Sequence, residues 1–276
     1  MPNDLTDRSM KYIEDNKDKS FFVYLPYNTP HSPMQVPSRW WNKSKNKELT
    51  MKLGMGKKTG DINFARAAMA MCENIDWNVG RLLKKLDSLQ FSDNTTVLYF
   101  SDNGPNSNRC NAGKKGSRDE GGIRSPLIIR WPAKIKKETL IKEVTSTVDL
   151  LPSLVSMVNI PLRNEKKLDG LNFSELITDQ QIPWRKGRLI LNYWRNKSRL
   201  RSQKFRLYEK GRLYDIENDR CQKSPGNKQY PLAMAKPMVV SKDQTDTQAV
   251  PTLPTGHQLP IKLLSTSTSS KPENLK

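Results

Sequence analysis

The chain has 276 residues, and 47 Lys and Arg stand against 28 Asp and Glu, a formal net charge of +19. Its 35% apolar and 27% charged content is that of a globular chain and excludes a wholly disordered or fibrous one. No apolar run approaches the ~18–20 residues of a membrane span, the first residues lack the apolar core of a signal peptide, and three cysteines with no close pair give neither a disulfide framework nor a zinc motif. The basic excess attracts polyanions in general. It is spread along the chain, however, and no zinc finger, aromatic-glycine RNA motif or basic zipper accompanies it, so no nucleic acid is expected as a partner.

In chain order, residues 5–16 read as a short helix capped by Asp4 or Thr6, and residues 20–27 as a buried strand. Pro30, Pro33 and Pro37 hold the next loop open. From 61 to 90, Phe64, Ala68, Met71, Ile75, Val79, Leu82, Leu86 and Leu89 recur every three or four residues, which predicts one long amphipathic helix with Met69, Met71 and Cys72 in the core. Residues 95–101 and 126–131 read as strands, and the order strand, helix, strand implies parallel neighbours. Residues 149–159 form a helix with Asp149 at its start and Pro152 in the first turn, where it is tolerated. After about residue 183 come four short strands, 188–194, 199–201, 204–209 and 212–216, with Lys210-Gly211 as a hairpin turn, giving a small antiparallel sheet. The Pro-, Ser- and Thr-rich tail, 244–276, is expected to be disordered.

Chemistry concentrates where the 95–101 strand ends. Ser101-Asp102-Asn103-Gly104-Pro105 places a carboxylate and an amide oxygen at a strand's carboxyl end, where ligands sit in open α/β sheets. These are hard oxygen donors of the kind Ca²⁺ or Mg²⁺ takes. A loop away, in Gly113-Lys114-Lys115-Gly116, a lysine offers a point positive charge for a phosphate- or sulfate-like group. The residues alone leave a second reading open, because Asp-Asn-Gly is also a plain turn. A lone histidine such as His31 is likewise most often a surface or core residue.

Several motifs occur in one order: Phe21 to Pro33 with its Pro30-His31-Ser32-Pro33, the long helix, Ser101-Asp102-Asn103-Gly104, Lys115 five residues before Glu120-Gly121-Gly122-Ile123-Arg124-Ser125-Pro126, and then Trp131-Pro132. Later come Asp149-Leu150-Leu151-Pro152-Ser153-Leu154, Lys167-Leu168-Asp169-Gly170 and the hairpin from Arg206-Leu207-Tyr208 to Arg212-Leu213-Tyr214-Asp215. In this order they resemble the sulfatase family, of arylsulfatase type, over about the first two thirds of the chain. The resemblance implies an α/β fold, part of an alkaline-phosphatase-like mixed sheet flanked by helices, with the small antiparallel sheet following. The expected division is a partial catalytic domain over 1–182, a small subdomain over 183–243 and the tail over 244–276.

By the same resemblance the reaction is metal-dependent hydrolysis of a sulfate ester on a sulfated small molecule or glycan. His31 binds the sulfate or protonates the leaving oxygen, Lys115 contacts the sulfate ester, and Asp102 and Asn103 contribute to a Ca²⁺ (or Mg²⁺) shell. Lys114 is a solvated neighbour, and Glu120, Gly121, Gly122 and Arg124 are structural, Arg124 as an ion-pair partner. Two features of the family are not in this sequence. One is an amino-terminal pair of metal-binding aspartates. The other is a Cys-x-Pro-Ser-Arg-like segment whose Cys or Ser becomes formylglycine, since Pro37-Ser38-Arg39 has Gln35 at the nucleophile position and Cys72, Cys110 and Cys221 lack the Pro and Arg. The chain therefore reads as a carboxyl-terminal part of a sulfatase, inactive alone. The alternatives are a phosphatase or phosphotransferase of the same superfamily and a non-catalytic, polyanion-binding remnant. An exported, periplasmic or lysosomal location follows from the family only.

Overall fold

The computed structural model describes residues 2–49, 62–105, 112–161, 168–178, 188–194, 197–208, 211–230, 239–240 and 262–263. Cys110, Lys167, Lys210 and, apart from Lys262 and Leu263, the tail 244–276 lie outside the described residues. The chain divides into two compact units, the first formed by Met1–Phe100 with Leu127–Ile135, the second by Ser101–Pro126 with Lys136–Lys276.

In the first unit, α1 (Pro2–Asp15) and α2 (Ser38–Ser44) pack on the long α3 (Ile62–Ser88). Pro2 opens α1, where its missing N–H costs nothing. Thr6 lies inside the helix and is not its cap, for its hydroxyl bonds back to the Pro2 carbonyl at 2.7 Å and to the Tyr27 hydroxyl at 2.6 Å. The buried side of α3 is Ala67, Ala70, Met71, Asn74, Ile75, Asn78 and Leu86. The amide of Asn78 is satisfied by Asn3, the Asn74 side chain and the Asn74 carbonyl, so two asparagines take core positions that apolar periodicity alone does not reveal. Met71 is buried as expected, whereas Met69 is 38% exposed and Cys72 is exposed, because they lie around the helix from the Met71 stripe.

The strand expected at 20–27 makes no ladder among the described residues. It is extended, with exposure alternating residue by residue, and Phe22 and Tyr24 stand 77% and 71% exposed. The strands expected at 95–101 and 126–131 are β1 (Val97–Phe100) and β2 (Leu127–Arg130), and they pair antiparallel, Val97 opposite Arg130 and Phe100 opposite Leu127. Parallel pairing needs a crossover of a dozen or more residues, usually a helix. Between β1 and β2 the described chain offers only the single turn α4 (Glu120–Ile123), and the connection reverses direction.

In the second unit a 3-10 turn (Thr147–Asp149) runs into α5 (Leu150–Met157), followed by α6 (Ser174–Thr178). Asp149 is fully buried; its carboxylate caps the Ser146 N–H, accepts from the Leu171 N–H and takes both guanidinium nitrogens of Arg188 at 2.5 and 2.6 Å. The expected small sheet is present as β3 (Ile190–Trp194), β4 (Lys197–Arg201), β5 (Phe205–Tyr208) and β6 (Leu213–Asp215), antiparallel in sequential order. Its small core is Tyr208, Tyr214 and Ile216, with the two tyrosine rings edge to face at 5.4 Å. Two-residue strands, β7 (Val239–Val240) and β8 (Lys262–Leu263), pair in parallel.

Candidate active site

Three of the four expected site residues lie in the second unit on two loops tied to each other. The Gly104 N–H donates to the Gly122 carbonyl at 2.9 Å and the Lys115 N–H donates to the Pro105 carbonyl at 3.0 Å. A Cβ on Gly104 would sit 2.1 Å from the Gly121 carbonyl oxygen, and one on Gly122 would sit 2.1 Å from that of Ser117. Only glycine permits the two backbones to approach so closely. Asp102 and Asn103, two residues in front of this junction, therefore stand in fixed register with the lysine loop. The Asp102 carboxylate is exposed, with the Ser101 hydroxyl at 3.5 Å as its donor, while Ser101 also bonds the Asn103 carbonyl at 3.1 Å.

The two neighbouring lysines differ in setting. Lys114 is exposed and Lys115 half-buried, and no hydrogen bond or ion pair engages the Lys115 ammonium among the described residues. Ser117 closes the turn below them, its Oγ accepting from the Lys114 and Asp119 N–H groups at 3.2 and 3.4 Å.

The loop is anchored at its far end by Glu120, 3% exposed, on the first residue of α4. Its Oε1 accepts from Arg201 Nε at 3.0 Å and from Arg206 Nη2 at 2.5 Å, and the expected partner Arg124 stands 3.7 Å from Oε2. Arg206 is fully buried and also donates to the Arg118 carbonyl. Burial pulls its pKa below the ordinary arginine value, while the charge of Glu120 pulls it back up. Beside it, the Tyr208 hydroxyl donates to the Asp119 carboxylate at 2.6 Å, and burial together with that bond raises the Tyr208 pKa. Gln222 donates to the same hydroxyl. Arg201 and Arg206 are direct cross-strand partners on β4 and β5, and the Glu120 carboxylate between them offsets a like-charge pairing that is otherwise destabilising.

His31 lies in the first unit, on an exposed loop after the extended 20–28 segment, between cis peptide bonds at Thr29-Pro30 and Ser32-Pro33. Its N–H donates to the Asn28 carbonyl at 3.3 Å and its Nδ1 lies 2.9 Å from the Ser32 carbonyl. That contact makes Nδ1 the protonated nitrogen and leaves Nε2 as the one that can exchange a proton.

A carboxylate and an amide oxygen side by side suit a hard divalent cation. They would supply two of the six to eight donors that Ca²⁺ takes, and no group of three or more His, Cys, Asp or Glu that could hold a metal ion occurs among the described residues. The donor chemistry thus fits the cation, as part of its shell.

The fold is alkaline-phosphatase-like. The structure superposes on the crystal structure of Ps i-CgsB in complex with k-i-k-neocarrahexaose with a TM-score of 0.71 at 24% identity, over 83% of this chain and 51% of that one. The sulfatase family model matches residues 1–160, and the carboxyl-terminal model of N-sulphoglucosamine sulphohydrolase matches residues 115–220. This chain belongs to the sulfatase family. It is 30% identical over 183 residues to an N-acetylgalactosamine-6-O-sulfatase of Bacteroides thetaiotaomicron, covering 60% of this chain and 32% of that protein. It is 27% identical over 186 residues to human steryl-sulfatase, covering 63% and 29%. The chain spans about a third of the length of these two relatives.

Proposed function

We propose that this chain supplies the charge-neutralising part of a site that hydrolyses sulfate esters, with sulfated glycans or small sulfate esters as the substrate class. The observation that supports this most is the joint fixing of Asp102, Asn103 and Lys115 through the Gly104–Gly122 and Pro105–Lys115 backbone bonds. In this reading the Lys115 ammonium stands against the sulfate group and offsets the charge that grows on the departing oxygen. His31, protonated at Nε2, gives its proton to the leaving alcohol as a general acid. Asp102 and Asn103 would hold a Ca²⁺ or Mg²⁺ ion, which when bound neutralises sulfate oxygens. The formylglycine that the family uses as nucleophile has no precursor among these 276 residues. Binding without turnover of aryl sulfates is therefore expected of the chain by itself. The division into 1–182, 183–243 and 244–276 belongs to the same proposal.

Inorganic sulfate titrated into the chain in the presence of Ca²⁺, followed by calorimetry, tests the reading. Lys115→Ala should lose sulfate binding and keep Ca²⁺ binding, Asp102→Ala should weaken Ca²⁺, and Lys114→Ala should change neither. Sulfate binding lost in Lys114→Ala and retained in Lys115→Ala would move the assignment by one residue, and wild-type-like binding in all three would end it.

A further inference from the structure

The first unit carries a basic feature that the site does not use. Arg39 Cζ lies 4.9 Å from the ring centre of Trp40 and 5.0 Å from that of Trp77, Lys43 Nζ lies 4.7 Å over Trp40, and Arg81 Cζ lies 4.7 Å over Trp77. The two indoles touch at 5.7 Å. Lys43, Trp40, Arg39, Trp77 and Arg81 thus form one continuous ladder of cations and rings. Arg81 is paired with Asp7. Arg39 and Lys43, together with Lys45 at the end of α2, are exposed and make no ion pair among the described residues.

Arg39 and Lys43 are four apart on α2, so they are neighbours on its surface, and like charges at that spacing destabilise a helix. Local rules are broken most often where function requires it. Here the aromatic faces hold both cations in place while their charges stay turned to solvent. An anion carrying several negative groups would bridge them and remove the repulsion.

We propose that the Arg39–Lys43 edge of α2 is a binding surface for a sulfated polysaccharide; its residues are not among those assigned to the sulfate-ester site, and its test does not depend on that assignment. A nucleic acid fits it less well. Trp40 is 3% exposed and offers no free face on which a base could stack. Seven residues of helix are also too short to read a groove.

The test is binding of fluorescently labelled dextran sulfate to the full chain at nanomolar protein concentration over a salt series. Unsulfated dextran and a 20-base-pair DNA duplex are run alongside. Arg39→Gln/Lys43→Gln keeps the side-chain stems on the rings and removes both charges. Lys136→Ala/Lys137→Ala removes two charges from an exposed stretch elsewhere. At about a fivefold loss for each cation near an anionic surface, the α2 double variant should bind dextran sulfate roughly 25-fold more weakly. Its slope of log affinity against log salt should fall by about 2. The Lys136/Lys137 variant should stay within about threefold of the parent, as expected for charges that make no contact with the polymer. Equal losses in the two variants would reduce the effect to net charge and overturn the site. Unchanged binding in the α2 variant, or duplex DNA bound as tightly as dextran sulfate, would overturn it as well.

Discussion

The lysine loop of the second unit and the histidine loop of the first carry residues of one proposed reaction but are built on opposite plans. Lys115 sits between a backbone junction that only glycine allows and a buried carboxylate held by two arginines. His31 is exposed and is held by one backbone bond and one contact to its own neighbour. The difference fits the roles proposed for the two residues. A charge that neutralises a fixed group gains from preorganisation, whereas a proton donor needs only reach and the correct tautomer.

This contrast breaks most readily at Glu120. Glu120→Ala leaves Arg206 and Arg201 as uncompensated buried charges, a loss of about 3–5 kcal/mol. Urea unfolding should show the midpoint falling steeply, and a change below about 1 kcal/mol would mean that the network does not anchor the loop. A smaller effect is expected at the far edge of the same sheet. The Asp215 carboxylate is pushed upward in pKa by burial, but hydrogen bonds from Tyr230 and Asn218 and the charge of Lys204 outweigh this and leave it lowered. A carboxyl that holds its proton less tightly when folded adds stability above its unfolded pKa of about 3.9 and loses it as pH falls through the folded value. Thermal unfolding between pH 5 and pH 2 should therefore be less steep in pH for Asp215→Asn than for the parent chain, and identical slopes would remove Asp215 from the acid response. The smallest effect belongs to His31→Ala, which should alter stability by no more than about 0.5 kcal/mol. A larger loss in calorimetry would show that the histidine loop is structural after all.

Much of this was legible in the sequence because local chemistry dictated it. The four short strands after residue 188 declare themselves through turn residues and alternation, and α3 through its apolar period. The glycines at 104 and 122 mark the close backbone approach. What stayed hidden depends on pairing across distance. Residues 20–27 have the composition and the period-two exposure of a strand but meet no ladder partner among the described residues. The direction of β1 against β2 is set by the reversing connection and not by either strand's composition. Arg201 and Arg206 looked like ordinary surface charge, since their partner Glu120 lies more than eighty residues upstream. At the site, the residue types were readable at 102, 103 and 115, while the anchoring that fixes them was not.

The bond between Gly104 and Gly122 also bears on motion. Two loops joined backbone to backbone shift together when the protein vibrates, so a displacement of one carries the other with it. The separation between the main chain after β1 and the main chain at Lys115 is then set by the Gly104–Gly122 and Pro105–Lys115 backbone bonds. Under the proposed role, an anion held between the two loops would meet a backbone frame that does not widen or narrow as the loops move.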